Sequence, residues 1–101
     1  MTFLLNVLQI EKDVFTQICL LESLYKLGAK EYLYKLAKKI NVKKISNRHA
    51  VINALYGIVD DDNREFIKAV LASRKEKERI SSVTSKIDDV LSLISLSCGQ
   101  V

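Results

Sequence analysis

Seven cationic side chains fall between Lys30 and His49: Lys30, Lys35, Lys38, Lys39, Lys43, Lys44 and Arg48, against the single acid Glu31. That window carries +6 while the whole chain carries +4, which leaves −2 for everything outside it. A positive field concentrated on one short stretch of an otherwise slightly acidic chain points to a polyanionic partner. The chemistry on offer is phosphate binding by ammonium groups. Arg48, His49, Asn53 and Tyr56 lie nearby to hydrogen-bond base edges or to stack on bases. A lone lysine-rich helix is more often a solvated face. Here the same sign persists through a turn into the next helix, and that continuation favours the functional reading. His49 reads equally well as a surface histidine without a role.

Other chemistry does not assemble. A single histidine leaves no pair for zinc and no base with an orienting partner. No glycine-rich loop exists to cradle a phosphate. Cys19 and Cys98 sit in apolar stripes, where a thiol is ordinarily inert packing, and their sparseness fits two reduced thiols. Asp60-Asp61-Asp62-Asn63 lacks the spacing of a calcium loop and reads as a helix start, with Asp62 capping and Glu65 completing a capping box. The expectation is a non-enzyme with no cofactor, metal or small-molecule substrate.

The elements that must position the basic window are helical. A chain of 101 residues makes one domain, and the absence of proline with only three glycines is unlike a β-rich fold. The sequence predicts an all-α domain of four to five helices. Residues 1–27 and 62–97 serve as packing or dimerisation helices around a basic hairpin at 30–58. The first helix runs from Thr2 to Leu27, with a break near Glu11-Lys12-Asp13, and Gly28 closes it. Phe3, Val7, Ile10, Val14, Ile18, Leu21 and Leu24 draw its stripe; Leu4, Leu8, Phe15, Cys19 and Leu20 widen it until two sides need cover.

The second helix, Ala29 to Ile40, turns Leu33, Leu36, Ala37 and Ile40 inward and Lys35, Lys38 and Lys39 outward. The third begins at an N-cap of Ser46 or Asn47, buries Ala50, Val51, Ala54, Leu55 and Ile58, and presents His49, Ile52, Asn53 and Tyr56. Beyond it, Phe66, Ile67, Val70 and Leu71 keep helical spacing, preferred over a small hairpin wing whose strands would be LYGIV and REFIKAV. RKEKER at 74–79 reads as an exposed stretch of helix. Ile80, Val83, Ile87, Val90 and Ile94 then give the a/d stripe of a long C-terminal helix, lining a bundle or a dimer seam. The apolar run at the N-terminus ends at Glu11, short of the roughly 20 residues that span a bilayer, and no basic residue precedes it as in a secretory signal. A cytoplasmic location is expected.

Leu36-Ala37-Lys38-Lys39-Ile40-Asn41-Val42 resembles the helix-turn-helix pattern, in which an alanine packs under the second helix and a glycine follows four residues on. Asn41 takes that glycine's place, as a residue that visits the left-handed conformation more easily than most. Asn47 stands where the family carries an apolar residue, with Ile45 two positions early. The resemblance implies a helix from Ser46 in the major groove, with Lys35, Lys38, Lys39, Lys43 and Lys44 on phosphates. The expected function is thus that of a small dimeric DNA-binding protein, with duplex favoured and homodimerisation through the outer helices. In size, class and charge the chain is also similar to the all-helical small subunits of CRISPR effector complexes. That likeness implies contact with RNA or single-stranded DNA. A protein–protein interaction module is the third expectation.

Overall fold

The computed structural model describes residues 13–98. The expected helix over Thr2–Glu11 lies outside them. Helix α1 spans Val14–Lys26, α2 Tyr32–Lys38, α3 Ile45–Gly57, α4 Arg64–Lys77 and α5 Ser81–Cys98, with one 3₁₀ turn at Lys39–Asn41. The all-α expectation holds; no strand occurs among the described residues, and α4 is the helix preferred over a wing.

Helix α1 starts where the break was expected, because Asp13 caps it. Its Oδ2 accepts from the backbone N–H and from the hydroxyl of Thr16, both at 2.9 Å. The Thr16 amide and then its hydroxyl, helped by the charge of Lys44, hold the Asp13 carboxyl below the usual aspartate range. At the other end Gly28 adopts φ +106°, the left-handed conformation that closes a helix. The Ala29 amide reaches back to the Leu24 carbonyl at 3.0 Å and the Gly28 amide to the Tyr25 carbonyl at 2.9 Å. Two orphaned carbonyls are satisfied and the chain reverses into α2. Ile18, Leu21, Leu24 and Tyr25 are buried. Phe15 stays 53% exposed and Cys19 is exposed, so this thiol is not the packed group that the stripe predicted.

Leu33, Leu36 and Ala37 on α2 and Ile40 in the 3₁₀ turn are buried as their spacing predicts. The helix tightens into the 3₁₀ turn, and Val42 then runs extended (φ −65°, ψ 151°) into α3. Asn41 is not left-handed: Gly28 alone has positive φ among the described residues. The 3₁₀ turn and extended Val42 reverse the chain without it. Neither Ser46 nor Asn47 caps α3; Lys44 holds the N-cap position without a side-chain bond. The turn is anchored instead by Arg48, whose guanidinium donates to the carbonyls of Val42 and Lys43 at 2.9 Å each.

Helix α3 is the hub of the core, touching α1, α2, α4 and α5. Val51, Ala54, Leu55 and Ile58 are buried as expected, and Ala50 half-buried. Ile52 is fully buried rather than outward, because its edge of the helix is covered by packed neighbours. The turn into α4 is a polar knot. Asn63 Nδ2 donates to the Ile58 carbonyl and to the Tyr25 hydroxyl at 2.8 Å each, and its Oδ1 accepts from the Asp60 amide at 2.8 Å. Asp60 Oδ1 accepts from the amides of Asp62 and Asn63. Asn63, not Asp62, holds the N-cap position of α4, without a side-chain cap bond; Asp60 ties the turn ahead of it, and Glu65 pairs with Lys68 at 3.8 Å instead of closing a capping box.

The run RKEKER is exposed helix through Lys75, Glu76 and Lys77, as expected, but not to its end. It breaks after Lys77, and the Glu78 side chain is 1% exposed. Val83, Ile87, Val90 and Ile94 on α5 are then buried against the protein's own α3 and α4. This uses up the stripe read as a bundle or dimer seam; only Ile80, at 36% exposure, keeps a wet edge.

Candidate nucleic-acid interface

Lys35 and Lys38 of the basic window stand on α2, with Lys30 just before it, Lys39 in the 3₁₀ turn, and Lys43 and Lys44 before α3. The exposed arc of α2 lies between two clefts. One runs against α1, has a volume of about 570 Å³, and is lined by Lys35, Lys38 and Lys39 together with Gln17 and Leu21. Lys39 Nζ donates to Gln17 Oε1 at 2.7 Å, which aims its charge along this cleft. Lys35 lies 4.9 Å from the centre of the Tyr32 ring, and Lys30 4.7 Å from that of Tyr25; both are cation–π contacts that leave the charge in place. Lys43 and Lys44 are exposed on the turn into α3. Among the described residues none of these six ammonium groups lies within 4.0 Å of a carboxylate oxygen.

Arg48 departs from the expected set. It is 7% exposed and reaches Glu78, with Nη2 donating to Oε2 at 3.1 Å. Its Nε lies 2.9 Å from Oε1, a charge contact whose N–H is not aligned for a hydrogen bond. Arg74 meets the same carboxylate at 3.1 Å. The amides of Arg79 and Ile80 donate to it as well. Burial alone would push the Glu78 carboxyl up; the Ile80 amide, the Arg74 hydrogen bond and the two guanidinium charges outweigh it and hold the group below the ordinary glutamate value. A guanidinium so committed is a strut, and it is withdrawn from the candidate interface.

The outward face of α3 keeps three of its four expected members. Asn53 is exposed, Tyr56 is 40% exposed, and His49 is half-buried with Nε2 3.5 Å from the Ser82 hydroxyl of α5. That face is narrow. Ser82 crowds one end, and at the other Glu22 comes so close that a Cβ placed on Gly57 would lie 3.0 Å from its Oε2. His49, Asn53 and Tyr56 line neither of the clefts beside α2. The helix-turn-helix pattern is matched by buried Ala37, but Asn47 is half-buried and Ile45 is 41% exposed.

A second cleft, between α2 and α4, adds what the sequence reading missed. Its volume is about 470 Å³, and Arg74 and Lys77 line it with Lys38 and Tyr34. The signal was present in part: Phe66, Val70, Ser73 and Lys77 recur at helical spacing on one face of α4. What one sequence cannot show is that this face lies along α2.

Among the described residues no group of three or more His, Cys, Asp or Glu is placed to hold a metal ion, and no helix is long and apolar enough to cross a membrane. No known protein family, curated protein or solved structure is significantly similar to the chain.

Proposed function

We propose that the chain is a non-catalytic nucleic-acid-binding protein that grips a phosphate backbone through the lysines of α2 and of the turn into α3. The absence of neutralisation carries this reading. Lys30, Lys35, Lys38, Lys39, Lys43 and Lys44 have no carboxylate oxygen within 4.0 Å among the described residues, although the charge of Lys44 acts on Asp13, while Lys26, Arg48, Arg64, Lys68, Arg74 and Lys75 are paired; Lys77, Arg79 and Lys86 are unpaired as well. A surface charged only for solubility intersperses the two signs. Here six lysines from Lys30 to Lys44 meet the single acid Glu31.

The helix-turn-helix form of the reading places α3 in a major groove of duplex DNA, with two copies on paired half-sites. Exposed Asn53 and Tyr56 beside Lys43 and Lys44 favour it. The commitment of Arg48 to Glu78 and the crowding of the face by Ser82 and Glu22 weigh against it. Sequence-independent backbone contact through α2 needs none of that face.

Electrophoretic shifts with duplex DNA, single-stranded DNA and RNA across a salt series test the proposal. Contact with about four phosphates gives a log–log salt slope near −4 on duplex and near −3 on single strands. Lys35→Glu with Lys38→Glu abolishes the shift on every substrate. Binding that survives this double reversal places the contact elsewhere. No shift at about 50 mM salt, where backbone contacts are strong, leaves the protein–protein module.

A further inference from the structure

We infer that the cleft between α2 and α4 receives an unpaired nucleobase, stacked on Tyr34, so that the strand gripped by the lysines is single. This deepens the nucleic-acid reading and rests on it. Tyr34 is 60% exposed, the most exposed aromatic ring of the described residues. It is not a loose side chain: its ring centroid lies 5.1 Å from that of Phe66 at an interplanar angle of 77°, an edge-to-face contact that sets its orientation. Phe66 is itself half-buried against the core, so the platform is anchored in the fold.

The surroundings select the ligand. Lys38 belongs to this cleft and to the one against α1, so a strand lying along the lysines passes the mouth of the Tyr34 cleft. Lys77 stands on the α4 side, exposed and without a carboxylate in reach among the described residues. Arg74 is already held by Glu78 and by Asn41 Oδ1 at 3.1 Å, and it stiffens the wall rather than offering a free charge. Tyr34 lies at the Phe66 end of this cleft, with Lys38 and Lys77 further along it toward Asn41 and Arg74, and with Lys30, beside Glu31 and Asp62, on its other side. A flat aromatic surface next to cations along one strand path matches a base and its neighbouring phosphates. A partner helix would need apolar floor to bury. Ala37 and Ile40 are only 7% and 4% exposed; Phe66, Ala69 and Val70 add apolar wall, and the cations Lys38 and Lys77 beside it favour an anionic strand over a helix. A base inside a duplex cannot enter, since both its faces are already stacked.

The test uses the full chain and fluorescence anisotropy at low salt. The probes are an oligothymidylate of about 12 nucleotides, within the site size of a small single-strand-binding domain, the same strand with abasic residues, and a duplex. The wild-type protein binds the base-bearing strand about tenfold more tightly than the abasic strand. Tyr34→Ala removes that preference, Tyr34→Phe keeps it, and neither changes binding to the abasic strand. Because Tyr34 is exposed, unchanged thermal melting will verify that Tyr34→Ala is folded. Equal affinity for base-bearing and abasic strands, or a preference that survives Tyr34→Ala, overturns the stacking site while leaving phosphate binding intact. Failure to bind any of the three probes overturns the nucleic-acid reading itself. Capture of an acidic helical peptide instead assigns the cleft to a protein partner.

Discussion

Lys35 and Arg48 come from the same cationic run, yet the molecule treats them in opposite ways. The lysines of α2 keep their charges in water with no carboxylate in reach among the described residues. Arg48 is enclosed and shares Glu78 with Arg74. The difference lies in what the fold brings near each cation. A buried guanidinium must be paired and hydrogen-bonded to be tolerated, whereas an exposed ammonium costs nothing and is left available. Charge counted along a chain is therefore not charge presented to a partner.

The contrast can be broken first at its buried end. Arg48→Ala leaves the Glu78 carboxylate enclosed and frees the carbonyls of Val42 and Lys43, and the expected loss is about 3–5 kcal/mol of folding stability, measured by denaturant unfolding. A loss of the size of a surface ion pair, under about 1 kcal/mol, would mean that Arg48 is no strut.

Acid sharpens the same point more gently. The Glu78 carboxyl is held below its ordinary value of 4.5, so the folded state binds fewer protons than the unfolded one as pH falls past that value. Its contribution is complete above the unfolded value and disappears as pH drops through the lowered folded one. Glu78→Gln should destabilise the protein at neutral pH and flatten the dependence of melting temperature on pH below 4.5. An unchanged acid profile would deny the carboxylate that role. The smallest effect belongs to the exposed end: Lys35→Glu with Lys38→Glu should move folding stability by no more than about 0.5 kcal/mol. Thermal unfolding read beside the binding assays separates the two ends of the contrast.

Much of the fold was legible because it is periodic. Leu33, Leu36 and Ala37 on α2 with Ile40 in the turn after it, and Val83, Ile87, Val90 and Ile94 on α5, are buried where three-four spacing puts them. Gly28 ends α1 as its position implied. What escaped was non-local. Glu78 lies 30 residues from Arg48, so nothing in the basic window shows that this cation is already taken. Ile52 sits at the margin of the apolar arc, and only the packing of neighbouring helices decides its side. Lys77 gains its meaning from α2, across a cleft. The caps misplaced at Ser46 and Asp62 failed for a related reason: the turns are tied by Arg48 and by Asp60 with Asn63, which propensity does not rank.

Glu78 has one more consequence. Its carboxylate fastens the root of α3, the tail of α4 and the first amides before α5 to a single point. The attitude of the lysine-bearing hairpin is thereby governed from the distal third of the polypeptide. Severing the backbone just ahead of this residue would spare every α2 lysine and still let the hairpin swing.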